Sequence, residues 1–124
     1  MNKILNLTQH AATSDQLAAG VVEPMNKKEV QNLLTFDKLP TAVDLDFRAL
    51  ALVAAAENDP RFEGAVMIGG APFFMAPLEH MLREAGIRAL YAFSQRESID
   101  EAQADGSIKK TQVFRHAGFV EVKA

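Results

Sequence analysis

The sequence predicts an α/β fold: a three-layer, Rossmann-like domain with a mainly parallel sheet and a C-terminal β-hairpin, occupying residues 1–124 as a single unit. Three observations point there. "GAVMIGG" and "IRALYAFS" are continuous rather than alternating apolar runs, the pattern of parallel strands covered by helices on both faces. Between them Leu78, Met81, Leu82 and Ala85 recur at i, i+3, i+4 and i+7 and Gly86 ends the run, which makes a βαβ unit. Further on, "ESIDEAQ" and "IKKTQVF" flank Asp105-Gly106, a turn pair suited to a hairpin.

Taken in order, "KILNLT" places Ile4, Leu5 and Leu7 in a short apolar run before Gln9-His10 and reads as a buried first strand. Thr13 or Ser14 then caps about two helical turns that stop at Gly20, and "VVE" is a short second strand. Asn26 opens "KKEVQNLLTF", in which Val30, Leu33 and Leu34 share a face. Thr41 and Asp44 have capping-box spacing at the start of the longest helix, whose Val43, Phe47, Leu50 and Val53, widened by alanines, predict a broad apolar face and a largely buried helix. Pro77 is expected in the first turn of the following helix or at a kink, which leaves "APFFM" as a short irregular segment able to wrap a ligand. "GFVEV" reads as a last strand.

Composition narrows the function classes. With 48% apolar and 23% charged residues a folded core is expected, and a formal net charge of −3 argues against a duplex nucleic-acid surface, which needs clustered Lys and Arg. The absence of cysteine excludes disulfides and thiolate chemistry and fits a cytoplasmic protein. "MNKILNL" is too short an apolar run for a secretory signal, and "ALALVAAA" is too short for a membrane span. The three histidines lack a metal-ligand spacing such as H-E-x-x-H, so neither a metal nor another cofactor is expected.

In doubly wound sheets ligands bind beyond the carboxyl ends of strands where strand order reverses. Three strand ends are expected to converge: Thr8-Gln9-His10, Gly69-Gly70-Ala71-Pro72 and Ser94-Gln95-Arg96. Gly69 and Gly70, lacking Cβ, can bring bare amides to an anion at the start of a helix, or they can simply form a tight turn. His10 is the candidate for proton transfer near neutral pH. Arg96 is the candidate phosphate or carboxylate clamp, with a salt bridge to Glu97 as its alternative. Lys109, Lys110 and Arg115 either offer a cationic rim or are balanced by acidic neighbours such as Glu101 and Asp105, and His116 either reaches the site or lies on the surface. The hairpin itself reads as a lid, a dimer contact or both. No G-x-G-x-x-G or P-loop motif is present, and without a G-x-S-x-G elbow Ser94 is no nucleophile; His80 reads as solvated helix surface, and Asp44 and Asp46 as acids that stabilise the start of the long helix.

The segment "VMIGGAPFFMAPLEHMLREAGIRALYAFS" resembles the strand, Gly-Gly turn, Pro/Met-containing helix and strand of CRISPR-associated Rossmann-fold sensor domains and their ring-nuclease relatives. "ILNLTQHAATSDQ" is similar to the first strand and polar turn of small CRISPR-associated or phage proteins, and the whole chain resembles an uncharacterised group of small proteins carried by phages and plasmids. The ring-nuclease resemblance implies a homodimer that binds a cyclic oligonucleotide across its two-fold axis. It further implies metal-independent cleavage by a ribose 2′-hydroxyl, with Gly69 and Gly70 at the ligand, Arg96 stabilising charge and His10 moving the proton. Ala71 departs from the Gly-Gly-Thr of that group and lacks the hydroxyl of its third residue. Three functions follow as expectations: a nucleotide phosphodiesterase, a nucleotide sensor or sequestering module without turnover, and an interaction protein of a mobile element.

Overall fold

A computed structural model describes residues 2–123 as five strands and four helices. The strands are β1 (Ile4–Leu7), β2 (Val21–Val22), β3 (Ala65–Ile68), β4 (Arg88–Ala102) and β5 (Ile108–Glu121). The helices are α1 (Ser14–Ala18), α2 (Lys27–Leu33), α3 (Ala42–Glu57) and α4 (Pro72–Glu84). They build one mixed α/β sheet in the order β2-β1-β3-β4-β5, parallel except for β5. Leu5 lies opposite Val22 on one side and Val66 on the other, so β1 is central and its neighbours leave in opposite directions. That reversal puts the topological switch point between β1 and β3.

Alternation along the strands decides which residues enter the main core. Leu5 and Leu7 on β1, Val66 and Ile68 on β3, and Ala89 on β4 share one face. They pack against Val30 of α2, Ala49, Leu52, Val53 and Ala56 of α3, and Phe74, Leu78 and Leu82 of α4. Each large side chain here is almost wholly removed from water, worth about 1.5–3 kcal/mol apiece. Beside β2 sits α1, which contributes no buried residue, so helical cover is heavy on one face and slight elsewhere.

Three local expectations need correcting. In α3 the buried residues are Ala49, Leu52, Val53 and Ala56, while Val43, Phe47 and Leu50 are 78%, 66% and 55% exposed. The small alanines allow α3 to lie close to its neighbour α4, and the larger stripe is left outside. "APFFM" is not irregular: α4 begins at Pro72, whose missing N–H costs nothing in the first turn. Pro77 therefore sits inside α4 and removes one helical hydrogen bond.

The third correction concerns the hairpin. Most of "IRALYAFS" and "ESIDEAQ" lies in the single 15-residue strand Arg88–Ala102, and "IKKTQVF" with most of "GFVEV" lies in its 14-residue partner Ile108–Glu121. Only Arg88, Ala89 and Leu90 of β4 pair with β3, whereas the β4–β5 ladder runs from Leu90–Glu121 out to Ala102–Ile108. At the root, Phe93 pairs with Gly118 and Ser94 with His116, leaving Ala117 as a bulged extra residue that turns the ribbon. Beyond it a two-stranded arm reaches roughly 30 Å at about 3.3 Å per residue. Cross-strand pairs Asp100–Lys110 and Glu101–Lys109, with an Arg115–Glu97 ion pair of 3.6 Å, hold it together. The Asp105-Gly106 turn closes the arm, with Gly106 at φ +85°.

Candidate functional site

A cleft of about 390 Å³ opens over the carboxyl ends of β1 and β3. Its walls are Thr8, Gln9, His10 and Ala11 after β1, Thr13 and Gln16 around the start of α1, Met67 to Gly70 at the end of β3, and Tyr91 and Ala92 of β4. This volume lies within the range of small-molecule sites, about 300–1,000 Å³.

One buried amide organises the β1–α1 loop. Among the described residues Asn6 is the polar residue found buried, at 2% exposure. Its Nδ2 donates to the His10 carbonyl at 2.9 Å and to Glu23 Oε1 at 2.8 Å. Its Oδ1 accepts from the Thr8 N–H at 3.0 Å and lies 2.7 Å from Thr8 Oγ1. Glu23 also accepts from the Ala12 N–H at 3.1 Å and pairs with Lys27 at 2.8 Å. On the other side of the loop, Gln9 Nε2 donates to the Leu34 carbonyl and Thr35 Oγ1, and Gln31 Nε2 donates to the Gln9 carbonyl. Of the two N-cap candidates Thr13 is the cap, and a reciprocal capping box forms there: its Oγ1 accepts from the Gln16 N–H, and Gln16 Oε1 accepts from the Thr13 N–H, both at 3.1 Å.

Burial pushes the Glu23 carboxyl up, but hydrogen bonds from Asn6, Lys27 and Ala12 and the Lys27 charge outweigh it and hold the group below its ordinary value. A depressed carboxyl contributes stability that is complete above its unfolded-state pKa of about 4.3 and drains away as pH falls through the folded value. Acid titration of unfolding free energy is therefore expected to show a steeper decline below about pH 4.5 in the native chain than in Glu23→Gln. Equal slopes would show that the Glu23 charge does not fasten the loop.

The β3 wall is backbone. Gly70 has φ +151°, a region which side-chain-bearing residues rarely enter, and an added Cβ would meet Met75 Cε at 3.6 Å. Ala71 is the N-cap of α4 without a side-chain cap bond, Pro72 follows in the first turn, and no acidic residue lies in that turn. The positive end of a 13-residue helix therefore sits just past the cleft, uncompensated by a carboxylate of its own. Tyr91 gives its hydroxyl to Glu79 of α4; burial and then that carboxylate push its phenol up, so the ring faces this region neutral.

The geometry brings together His10, Thr8, Gln9, Gly69 and Gly70, with Ala71 adjoining as the helix cap. It does not bring Arg96, Ser94, Lys109, Arg115 or His116 into the lining. The third strand end was expected at Ser94-Gln95-Arg96, but β4 runs straight through these residues into the arm. The Arg96 guanidinium lies 5.5 Å from the Phe114 ring centre, and Glu97 pairs with Arg115 instead. Lys109 faces Glu101 near the far end of the arm. The His116 ring lies against Phe119, centres 4.7 Å apart and planes tilted by 59°, and neither of its buried ring nitrogens has a hydrogen-bond partner. Thr13, Gln16, Met67 and Tyr91 were missed as lining residues. Thr13 and Gln16 carried a signal in their capping-box spacing, while Met67 and Tyr91 are concealed inside apolar strand runs.

None of the twelve lining residues is a carboxylate, an arginine or a lysine. Among the described residues no three His, Asp or Glu side chains gather as a metal-ligand set, and no helix is long and apolar enough to cross a membrane. What the cleft presents is one imidazole, neutral polar side chains and glycine backbone, with the N-terminus of α4 next to it. No curated protein and no solved structure matches the chain. One family model spans residues 2–120, nearly all of the sheet and every helix, and by that match the chain belongs to the Uncharacterized protein MJ1673 family.

Proposed function

We propose that the cleft binds a small phosphate-bearing ligand of nucleotide type. The observation that carries this reading is a carboxylate-free cleft at the β1/β3 switch point, beside an uncapped helix N-terminus. An anion placed there meets amides and a helix dipole with no acid on the walls to repel it. His10 is exposed at the rim, where it can donate to a phosphate oxygen, and the Tyr91 ring offers a flat surface to a base.

Binding without turnover is the better-supported form of this reading. Cleavage by a ribose 2′-hydroxyl needs the developing charge on the phosphate to be stabilised and a proton to be moved, and the cleft offers one imidazole without a cation beside it. A metal-independent phosphodiesterase of ring-nuclease type would have to draw everything except His10 from amides and positioning. The Rossmann-like description of the fold belongs to the same reading, as does a cytoplasmic setting, supported by a cysteine-free composition.

Titration calorimetry against linear and cyclic nucleotides tests it, with mass spectrometry of the ligand afterwards. Saturable binding is expected, weakened about tenfold or more in His10→Ala while thermal stability is unchanged, since the loss of a charge-assisted hydrogen bond is worth about 1.5–3 kcal/mol. Recovery of intact nucleotide selects the sensor, and cleaved nucleotide selects the phosphodiesterase. Silence across the whole panel overturns the proposal and leaves the arm, as an interaction device, the stronger reading.

A further inference from the structure

On α3, Val43, Phe47, Leu50 and Ala54 follow one another at intervals of four, three and four residues and are all exposed. That interval keeps side chains on a single straight stripe and is the spacing of a seam between two packed helices. At the amino end of the stripe stands Leu39, 95% exposed. At the carboxyl end lies a groove of about 420 Å³ whose apolar side is Met25, itself 70% exposed, with Ala51, Ala54 and Ala55, and whose polar side holds Glu29 and Asp59. One end therefore carries an apolar knob and the other a groove with one apolar side, formed by Met25 and small alanines.

We propose that this face is the contact between two copies of the chain, packed with their α3 helices antiparallel about a two-fold axis near Arg48–Ala49. In that arrangement Phe47 of each copy meets Leu50 of the other, Val43 meets Ala54, and Leu39 enters the groove beside Met25. The contact is closed and isologous, since the same residues serve on both sides. Charge selects this direction over the parallel one. Asp46 is exposed near the amino end of α3, and the antiparallel pairing sets it against Ala51, whereas a parallel pairing would set it against its own copy; Asp44 is already paired with Arg48 at 3.2 Å. The helix dipoles also oppose one another. Five large apolar side chains more than half exposed along one face, each repeated by symmetry, match a standard interface of about 800 Å² per partner better than a solvated surface. The pairing leaves Thr8 to His10 and Gly69-Gly70 outside the contact, so it stands independently of any ligand in the cleft.

Sedimentation velocity on the intact chain is expected to show a dimer at about 100 µM, where a micromolar association would be nearly complete. Phe47→Glu is expected to weaken association by about 30-fold or more, as a central aromatic anchor does, with circular dichroism unchanged and with thermal stability unchanged at dilutions where both proteins are monomeric, because the side chain is exposed there. Orientation is read by oxidation of single-cysteine variants, since the chain has no cysteine of its own. Mixed Val43→Cys and Ala54→Cys proteins are expected to form the heterologous disulfide, and neither alone should form its own. A monomer at high concentration, a dimer indifferent to Phe47→Glu, or efficient self-linking of Val43→Cys alone would each overturn the proposal.

Discussion

Asn6→Leu is expected to unfold the β1–α1 loop and lower stability by about 3–5 kcal/mol, measured by urea denaturation. Both amide hydrogens and the carbonyl of Asn6 are engaged, so a leucine of similar volume strands several partners at once. The Thr8 N–H loses its acceptor, the His10 carbonyl loses a donor, and the Glu23 carboxylate loses one of the bonds that offsets its burial. Each buried group left unsatisfied costs about 1–3 kcal/mol, more where charge is involved. Asn6→Asp separates shape from hydrogen bonding. The aspartate fits the space but presents a carboxylate to Glu23, so its penalty should be greatest at neutral pH and shrink as acid protonates the pair. A loss below about 1 kcal/mol for Asn6→Leu, with amide exchange of residues 8–13 unchanged, would show that the loop is held by other means.

Phe74→Ala is expected to cost about 3–5 kcal/mol, from lost transfer energy and the cavity left behind. Phe74 is fully buried, lies edge-on to Phe36 at 5.4 Å, and occupies the first turn of α4. Its backbone N–H bonds to the Ala71 carbonyl, so the side chain that fills the core also seats the helix end beside the cleft. Ligand affinity should fall with stability in this variant. Phe74→Leu should recover most of both, because it restores most of the volume. Full affinity in Phe74→Ala, at temperatures where it remains folded, would separate the helix N-terminus from the ligand.

What the sequence made legible divides along physical lines. The strands β1 and β3 and the core side of α4 could be read because each is apolar for one reason, burial on the sheet. In α3 two apolar stripes compete: Val43, Phe47 and Leu50 are the larger, but Ala49, Leu52, Val53 and Ala56 are the ones that allow close helix packing. Periodicity measures apolarity and cannot rank one side against another when both qualify. The continuation of β4 past Ser94 was hidden because Ser94 to Ala102 hold their strand through cross-strand partners on β5, a long-range property absent from any local window. That continuation is why Arg96 leaves the cleft while His10 and Gly70 come together there. The β1–α1 loop was placed by its strand end. The part played by Asn6 escaped notice because a lone asparagine in an apolar run does not announce four hydrogen bonds to three residues.

The arm gives the chain a seam in its cooperativity. Past Ala117 the ribbon has no third strand, and its side chains are mostly in contact with water. Two strands without a covering layer are marginal on their own. Opening them leaves the parallel strands and their helices undisturbed, so the tip should breathe on a faster clock than the body and lose its order at milder conditions. The chain thus joins a rigid body to a slender arm whose shape can be set by whatever it touches.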